Sequence, residues 1–427
     1  MKDYPDRTFV SSLLQIIEFG CNIGFSGPEL SQPVKNLKSA KEHSQFLSDA
    51  LSTLIAKGAA AGPFPLSPLP ELRCSPLGVI GRKRKPGKLR MINHLSWPRG
   101  SSVNDGIPDV EVHISYDMFE RAVSDLRLSG RGSLMVKLDL KDAFRHIPIR
   151  VADHHHMGMF WNGGFYYALV LMFGLRSAPY IFNLFSEALH WIISCHIPAC
   201  LRHYLDDFWL VFRPETDPAI ARAAVEWILA LGEELGLHFQ EEKMFWPCLH
   251  LDFLGLDLDS DAMEARLPED KLSYLRDLLG EWGRKRTCSW REVQELVGFL
   301  QFCSQVIPRS RAFIRRLIDF SSKFSSPFQR RYIPSGARSD IGWWSTLSTY
   351  WNGVQLIQPV HPEIFVTSDA SGRKGLGGVW GDLWFFTRCP RRFRNCDIQF
   401  KGDLCYTASN FALGRRMVWR PCRLPVR

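Results

Sequence analysis

The sequence predicts an α+β fold, not a doubly wound parallel sheet, and two hairpins carry that prediction. Strand-like runs at 157–161 and 165–171 are separated by Asn162-Gly163-Gly164, which is typical of a tight hairpin turn. A second hairpin is predicted over 201–212, with Leu205-Asp206-Asp207 as its turn. No internal repeat is found in the sequence, so a repeat architecture is not expected.

Amphipathic helices accompany these hairpins. Pro179 stands near the start of a helix predicted over 177–193, in which apolar residues recur with helical spacing. A second amphipathic helix is predicted over 219–235 and is closed by Gly236. The order of hairpins and helices along the chain is therefore that of an α+β domain.

Residues 1–70 are predicted to form an N-terminal extension, helical over 42–57 and Pro-rich over 62–70. A hairpin follows, with strands at 77–80 and 89–92 and five cations at its tip. Such a tip either contacts phosphate or is simply a solvated, charged turn. The sequence of the hairpin alone leaves both interpretations open.

The chain is basic, with a formal net charge of +9 and a pI near 9.0. Basic proteins favour polyanionic partners, because neutralised phosphates release counterions, although a merely basic soluble protein fits this charge as well.

No apolar run approaches the ~18 residues that span a bilayer, and the N-terminus lacks the apolar core of a signal peptide. The 11 cysteines include no C-x-x-C pair. We therefore expect a soluble, intracellular protein with no membrane partner.

Three aspartates occur where a metal-dependent phosphoryl transfer would need them. Asp139 lies near the end of a mostly apolar run over 134–140, which predicts a buried strand, and Asp206 and Asp207 share a predicted turn. Nucleotidyl transfer uses two divalent ions, and Mg²⁺ prefers carboxylate oxygens. Taken singly, each feature has a plainer interpretation, since an Asp-Asp turn is common turn chemistry. The order and spacing of the three together favour a metal site.

Five segments resemble the motifs of retroelement reverse transcriptases, in the order of that family. They are 136–148 (VKLDLKDAFRHIP), 171–185 (LMFGLRSAPYIFNLF), 204–207 (YLDD), 235–243 (LGLHFQEEK) and 251–255 (LDFLG). Segments 75–79, 95–105 and 287–320 resemble, more narrowly, the DIRS-like retrotransposons. The resemblance covers about 75–400.

This resemblance implies a right-hand polymerase architecture. Fingers and palm are expected over 71–260, and a thumb or connection over 261–360. An incomplete ribonuclease H-like α/β domain is expected over 361–427, with Asp369 matching the first metal-binding acid of such domains. Gly402 stands where the family has the next acid, a glutamate, and we expect a shifted reading frame from that codon onward.

The resemblance also assigns site residues. Asp139, Asp206 and Asp207 are expected to hold two Mg²⁺ ions, for which Mn²⁺ can substitute, and Lys243 to protonate the leaving pyrophosphate. The residues expected to contact the incoming dNTP are Lys83, Arg90, Asp142, Ala143, Phe144, Phe173 and Gly174. Those expected to contact nucleic acid are Tyr204, Phe253, Leu254 and Gly255.

Two aromatic residues are expected to lie at the nucleotide pocket, and one of them is expected to select the sugar. Phe144 takes the family position that blocks a ribose 2′-hydroxyl, so that the product is DNA; the alternative is an ordinary core phenylalanine. Phe173 replaces the glutamine of retroviral enzymes, as in many retrotransposon relatives.

The expected function is that of an RNA-directed DNA polymerase of a retrotransposon, which copies an RNA template from a DNA primer with dNTPs. One alternative is an inert nucleic-acid-binding remnant of a decayed element. A second alternative, an RNA-dependent RNA polymerase, is opposed by Phe144 and by the ribonuclease H-like start at Asp369.

Overall fold

The structure is a computed structural model. It describes residues 3–28, 35–82, 85–108, 114, 119–307, 310–326, 328–357, 367–371, 375–380 and 383–390, together with Lys401 and Cys405. The chain divides into two compact units, Met1–Ile357 and Gln358–Arg427, and each is described by itself.

The helices whose bounds lie within the described residues belong to the first unit. They are α1 (Arg7–Phe19), α2 (Lys38–Glu42), α3 (Ser44–Ala56), α4 (Phe119–Ser129), α5 (Ala178–His196), α6 (Pro218–Leu235), α7 (Glu269–Arg284), α8 (Trp290–Cys303), α9 (Arg315–Ser321) and α10 (Ser335–Tyr350). None of the helices in these described ranges is long and apolar enough to cross a membrane.

The strands of the first unit form small antiparallel sheets and hairpins. They are β1 (Ala60–Phe64), β2 (Leu77–Arg82), β3 (Lys85–Asn93), β4 (Leu134–Asp139), β5 (Gly158–Trp161), β6 (Gly164–Ala168), β7 (Cys200–Tyr204), β8 (Asp207–Phe212), β9 (Phe245–Cys248), β10 (His250–Phe253), β11 (Leu256–Asp259), β12 (Glu264–Arg266), β13 (Thr287–Ser289), β14 (Arg330–Tyr332) and β15 (Val354–Leu356). In the second unit, β16 (Thr367–Ala370), β17 (Leu376–Trp380) and β18 (Leu383–Thr387) form one antiparallel sheet.

The sheet that carries the site has the strand order β7-β8-β4-β9. It is buried on both faces, because successive side chains of β8 enter different hydrophobic cores. Phe208 and Leu210 belong to the first core, whereas Trp209 and Val211 belong to the second. A strand buried on both faces needs an unbroken apolar run, which explains the lack of polar alternation in this segment.

The predicted hairpins and helices are present. β5 and β6 are joined by Asn162 and Gly163, whose φ angles of 46° and 78° are the left-handed values that this turn requires. The basic hairpin is β2–β3, with positions 83 and 84 of its tip outside the described residues. Helix α6 begins with Asp217, which accepts a hydrogen bond from the backbone of Ala219, and ends at Gly236 with a left-handed φ of 70°.

The described residues of the N-terminal extension predicted over 1–70 pack against the rest of the first unit. β1 pairs antiparallel with β6, and the Leu47, Leu51 and Leu54 side chains of α3 are buried in the first core. The first residues of the Pro-rich segment, up to Phe64, lie in β1 and complete the sheet of the β5–β6 hairpin, whereas residues 65–70 form bends and a turn. The two units part after Ile357, close to the predicted boundary at 360.

The second core of the first unit lies beneath α7, α8 and α10 and a four-stranded sheet of order β10-β11-β12-β15. Helix α8 begins with a capping box, in which Ser289 and Glu292 satisfy each other's backbone amides. The hairpin β10–β11 joins this core to the sheet of the site, because Phe253 packs against Trp209 of β8.

Candidate active site

Strand pairing brings the three predicted aspartates to one end of the β7-β8-β4-β9 sheet. Asp139, the last residue of β4, is the direct cross-strand partner of Asp207, the first residue of β8. Asp206 lies in the turn before β8, and its carbonyl oxygen accepts a hydrogen bond of 2.9 Å from the backbone amide of Leu140. Leu205 adopts a left-handed φ of 54°, which allows the tight turn that places the two carboxylates side by side.

The carboxylates are largely withdrawn from water and repel one another. Asp139 is only 6% exposed. Burial raises the pKa of Asp206, and the charge of Asp139 raises it further. Burial likewise raises the pKa of Asp207 to about 6, although the nearby ammonium of Lys137 opposes the shift. Such a group of carboxylates is stabilised in its ionised form by a cation.

Lys243 supplies one such cation. It ends a short 3₁₀ turn, Glu241–Lys243, and its Nζ atom lies 2.8 Å and 3.0 Å from the two carboxylate oxygens of Asp139. The turn is fixed beside β4 because the backbone amide of Gln240 donates a hydrogen bond of 2.7 Å to the carbonyl oxygen of Asp139. The predicted general acid and a predicted metal ligand are therefore in direct contact.

A cleft of about 480 Å³ opens beside the aspartates. The sequence-predicted residues that line it are Arg90, Asp142, Ala143, Phe173, Asp206 and Lys243. They come from β3, from the loop after β4, from the segment before α5, from the β7–β8 turn and from the turn before β9. Residues far apart in sequence thus converge on one space beside the carboxylates.

Phe173 lines one side of the cleft and contacts a cation and a further aromatic ring. The guanidinium carbon of Arg90 lies 4.1 Å from the centre of the Phe173 ring, within cation–π range. The Phe173 ring lies 4.9 Å from that of Phe144, which in turn packs edge-on against the buried Phe182 at 5.6 Å. Phe144 is partly buried and packs against the first core. The contact between Phe144 and Phe173 places Phe144 next to the cleft.

Asp142 is held by a residue that the sequence did not single out. Its side chain accepts a hydrogen bond of 2.7 Å from Lys57, which follows α3, and Arg145 lies 3.6 Å away. Burial works against ionisation of Asp142, but the hydrogen bond and the charge of Lys57 outweigh it and lower the pKa. No motif marks Lys57, since the contact joins positions 85 residues apart.

The predicted nucleic-acid-binding residues lie around the β7–β8 and β10–β11 turns. Leu254 and Gly255 form the β10–β11 turn with left-handed φ values of 50° and 77°, and the Gly255 carbonyl oxygen accepts a hydrogen bond from Lys271. Phe253 is 1% exposed, so its side chain is part of the core and is not available to a nucleic acid. Tyr204 is partly buried and pairs across the strands with Asp207.

Other predicted residues lie outside this cluster. Gly174, with a left-handed φ of 96°, follows Phe173 and approaches the backbone oxygen of Asn93. Lys83 and Gly402 are outside the described residues. Asp369 lies in β16 of the second unit and is exposed.

The donor chemistry of the three aspartates suits a hard divalent cation, because all their side-chain donors are carboxylate oxygens. Their burial and mutual repulsion also favour a cation. Within the described residues, however, no three His, Cys, Asp or Glu side chains already converge as a closed metal-binding group.

Comparison with known proteins shows what the residues around this site resemble. Residues 82–258 match the family model described as reverse transcriptase (RNA-dependent DNA polymerase). Protein P of duck hepatitis B virus (strain United States/DHBV-16) is 28% identical over 192 residues, which are 44% of this chain and 21% of that protein. A Pol polyprotein from the transposon opus of Drosophila melanogaster is 24% identical over 194 residues, 45% of this chain and 18% of that protein. The chain thus matches about a fifth of the length of these curated relatives.

Solved structures share the fold. A foamy viral protease-reverse transcriptase solved with double-stranded DNA superposes with a TM-score of 0.59 at 15% identity, covering 94% of this chain and 65% of that one. The same viral protein solved with an RNA/DNA hybrid gives a TM-score of 0.57 at 14% identity, covering 94% and 50% of the two chains. The polymerase fold with mixed helices and sheets is therefore as expected. Asp139, Asp206 and Asp207 all lie within the residues 82–258 that match the reverse transcriptase family model.

Proposed function

We propose that this chain is an RNA-directed DNA polymerase of a retrotransposon, most like the DIRS-like group, and that it extends a DNA primer along an RNA template with dNTPs. One observation carries the proposal. Asp206 and Lys243 line the same cleft as Arg90, Asp142 and Phe173, directly beside the strand ends that bear the other two aspartates. Carboxylates for divalent ions and cations for a triphosphate therefore face one nucleotide-sized space.

Different residues of the site have different roles in the reaction. Two Mg²⁺ or Mn²⁺ ions, bound by Asp139, Asp206 and Asp207, would activate the primer 3′-hydroxyl and stabilise the leaving pyrophosphate. Arg90 binds the triphosphate through its guanidinium fork, which matches phosphate geometry. Lys243 donates a proton to the pyrophosphate as it leaves.

The sugar and the nucleic acid are held by other parts of the site. Ala143 and Phe144 pack against the deoxyribose, and the ring of Phe144 leaves no room for a 2′-hydroxyl. The β10–β11 turn at Leu254 and Gly255 contacts the primer backbone. The net charge of +9 supports binding of the phosphate backbone in general.

Primer extension tests this function. Purified protein is incubated with a DNA primer on an RNA template, dNTPs and Mg²⁺, and extended products are measured. Asp206→Asn should abolish extension while the unfolding temperature stays near that of the parent. The matched control is Asp261→Asn, because Asp261 is an exposed acid with only a 3.5 Å surface pairing to Arg131. Full activity of Asp206→Asn would refute the assignment, and so would an inactive parent protein, as expected of an inert remnant.

We further propose that the second unit begins a ribonuclease H-like domain that does not cleave. Asp369 stands on the first strand of its antiparallel sheet and is the one acid of such a site that the resemblance assigns, whereas Gly402 stands where the family has the next acid. A two-metal hydrolytic site needs several carboxylates. The protein should therefore leave the RNA of an RNA/DNA hybrid intact. Hybrid cleavage that Asp369→Asn abolishes would refute this proposal.

A further inference from the structure

The ammonium of Lys137 lies between two carboxylates, one beside the β7–β8 turn and one in the β10–β11 hairpin. The Nζ atom of Lys137 is 2.9 Å from Oδ2 of Asp252 in β10 and 3.9 Å from Oδ1 of Asp207. The Lys137 side chain is only 11% exposed. An ammonium so withdrawn from water requires carboxylate partners, and here it has two at unequal distances.

The position of Lys137 between these carboxylates follows from the strand pairing. Lys137 and Asp139 are two residues apart in β4 and so lie on the same face of the sheet. Asp139 pairs across the strands with Asp207, which places the lysine near Asp207 as well. Asp252 reaches the same ammonium from the β10–β11 hairpin and holds it at hydrogen-bonding distance.

The two carboxylates compete for one cation. If Asp252 were neutral, the attraction that draws Lys137 towards the hairpin would be lost, and the ammonium would move onto Asp207. A direct Lys137–Asp207 ion pair would then oppose any divalent cation at Asp207, both by repulsion and by occupying a carboxylate oxygen.

We propose that Asp252 is a positioning residue that holds Lys137 away from Asp207 and thereby keeps Asp207 available to a divalent cation. This inference rests on the metal site of the proposed function. Asp252 lies two residues before the Leu254–Gly255 turn, so movement of the hairpin when nucleic acid binds would alter the metal affinity of Asp207.

Binding of Mn²⁺, followed through the electron paramagnetic resonance signal of the free ion, tests the proposal without requiring activity. Asp252→Asn is compared with Asp257→Asn, because Asp257 is the cross-strand partner of Asp252 in the same hairpin and its loss removes the same charge. Lys137→Met and the double variant Lys137→Met/Asp252→Asn complete the set. Unfolding temperatures of all variants confirm that each is folded.

Asp252→Asn should weaken Mn²⁺ binding about tenfold more than Asp257→Asn does, as expected for a unit charge that moves roughly 1 Å closer to the ligand. In the double variant the weakening should vanish, because there is no ammonium left to move. Equal effects of Asp252→Asn and Asp257→Asn would overturn the proposal, and so would a double variant as weak as Asp252→Asn. If the parent protein binds no Mn²⁺, or Asp206→Asn binds it equally well, the metal site of the proposed function fails and this inference fails with it.

Discussion

The ammonium of Lys243 contacts both carboxylate oxygens of Asp139, at 2.8 Å and 3.0 Å. A divalent cation that binds Asp139 must compete with this pairing, because the ammonium and the ion need the same oxygens. The Lys243 side chain is 53% exposed, so it can leave Asp139 at little cost. The contact therefore suggests that Lys243 neutralises Asp139 before the metal binds and faces the phosphates afterwards.

Lys243→Ala should separate these two roles. Loss of the proposed general acid should lower kcat of primer extension by about a hundredfold, a modest value for general acid catalysis. Loss of the competing ammonium should at the same time tighten Mn²⁺ binding. Lys41→Ala, at an exposed lysine of α2, controls for the change in net charge. An unchanged kcat would show that Lys243 only pairs with Asp139.

The contact between Arg90 and Phe173 leads to a second prediction. Cation–π contacts contribute about 0.5–2 kcal/mol, so Phe173→Leu should raise KM for dNTPs by roughly 2- to 30-fold, because Arg90 is no longer held in the cleft. Phe173→Tyr keeps the ring face and should behave like the parent. The control is Phe160→Leu, at an exposed aromatic residue of β5. Equal KM values in Phe173→Leu and the parent would mean that the ring does not orient Arg90.

The sequence predicted those parts of the site that local chemistry determines. The Asn162-Gly163 turn, the glycine that ends α6 and the strand that ends at Asp139 each follow from residue preferences over a few positions. The expectation that Asp139, Asp206 and Asp207 belong to one site came from the resemblance, whereas the strand pairing of Asp139 with Asp207 is seen only in the structure.

Contacts between distant segments were not predictable in this way. Lys57 reaches Asp142 and Lys137 reaches Asp252 across 85 and 115 residues, and each of these lysines looks like an ordinary surface cation in the sequence. The pairing of β1 with β6 was missed for the same reason: a Pro-rich segment is predicted to be extended, but its partner strand is set by tertiary packing.

The capping box of α8 leads to a prediction about pH. Burial alone would raise the pKa of Glu292, but hydrogen bonds from Ser289 and the ammonium of Lys285 outweigh it and lower the pKa from 4.5 to about 2. A carboxyl whose folded pKa is depressed stabilises the fold above its unfolded pKa and loses that effect as the pH falls towards the folded value. The stabilisation by Glu292 is therefore complete above about pH 4.5 and lost towards pH 2.

Glu292→Gln should consequently be less stable than the parent at pH 7, by about 1 kcal/mol for a weakened cap. The difference should shrink between pH 4.5 and pH 2 as the parent itself becomes protonated. Thermal unfolding of both proteins across this range measures it. A difference that is constant with pH would mean that the charge of Glu292 is not involved.

The position of Phe144 leads to the last prediction, which concerns the choice of sugar. The ring contacts Phe173 on the cleft side and Phe182 on the core side, so it is packed from both directions and cannot easily swing away from a bound nucleotide. Phe144→Val removes most of that ring and should admit ribonucleotides, since overpacking of a rigid site costs about 1–3 kcal/mol and its relief would increase rNTP incorporation roughly 5- to 150-fold. Incorporation of dNTPs should change less.

The matched control is Phe182→Val, which shortens the neighbouring ring inside the core. It should lower the unfolding temperature and relax sugar selectivity much less than Phe144→Val does, because Phe182 is fully buried and can act on the nucleotide only through the Phe144 ring. The ratio of kcat/KM for rNTPs and dNTPs is measured for the parent and both variants. If Phe144→Val keeps the selectivity of the parent and only lowers stability, as Phe182→Val does, then Phe144 is a core residue and another group excludes the 2′-hydroxyl.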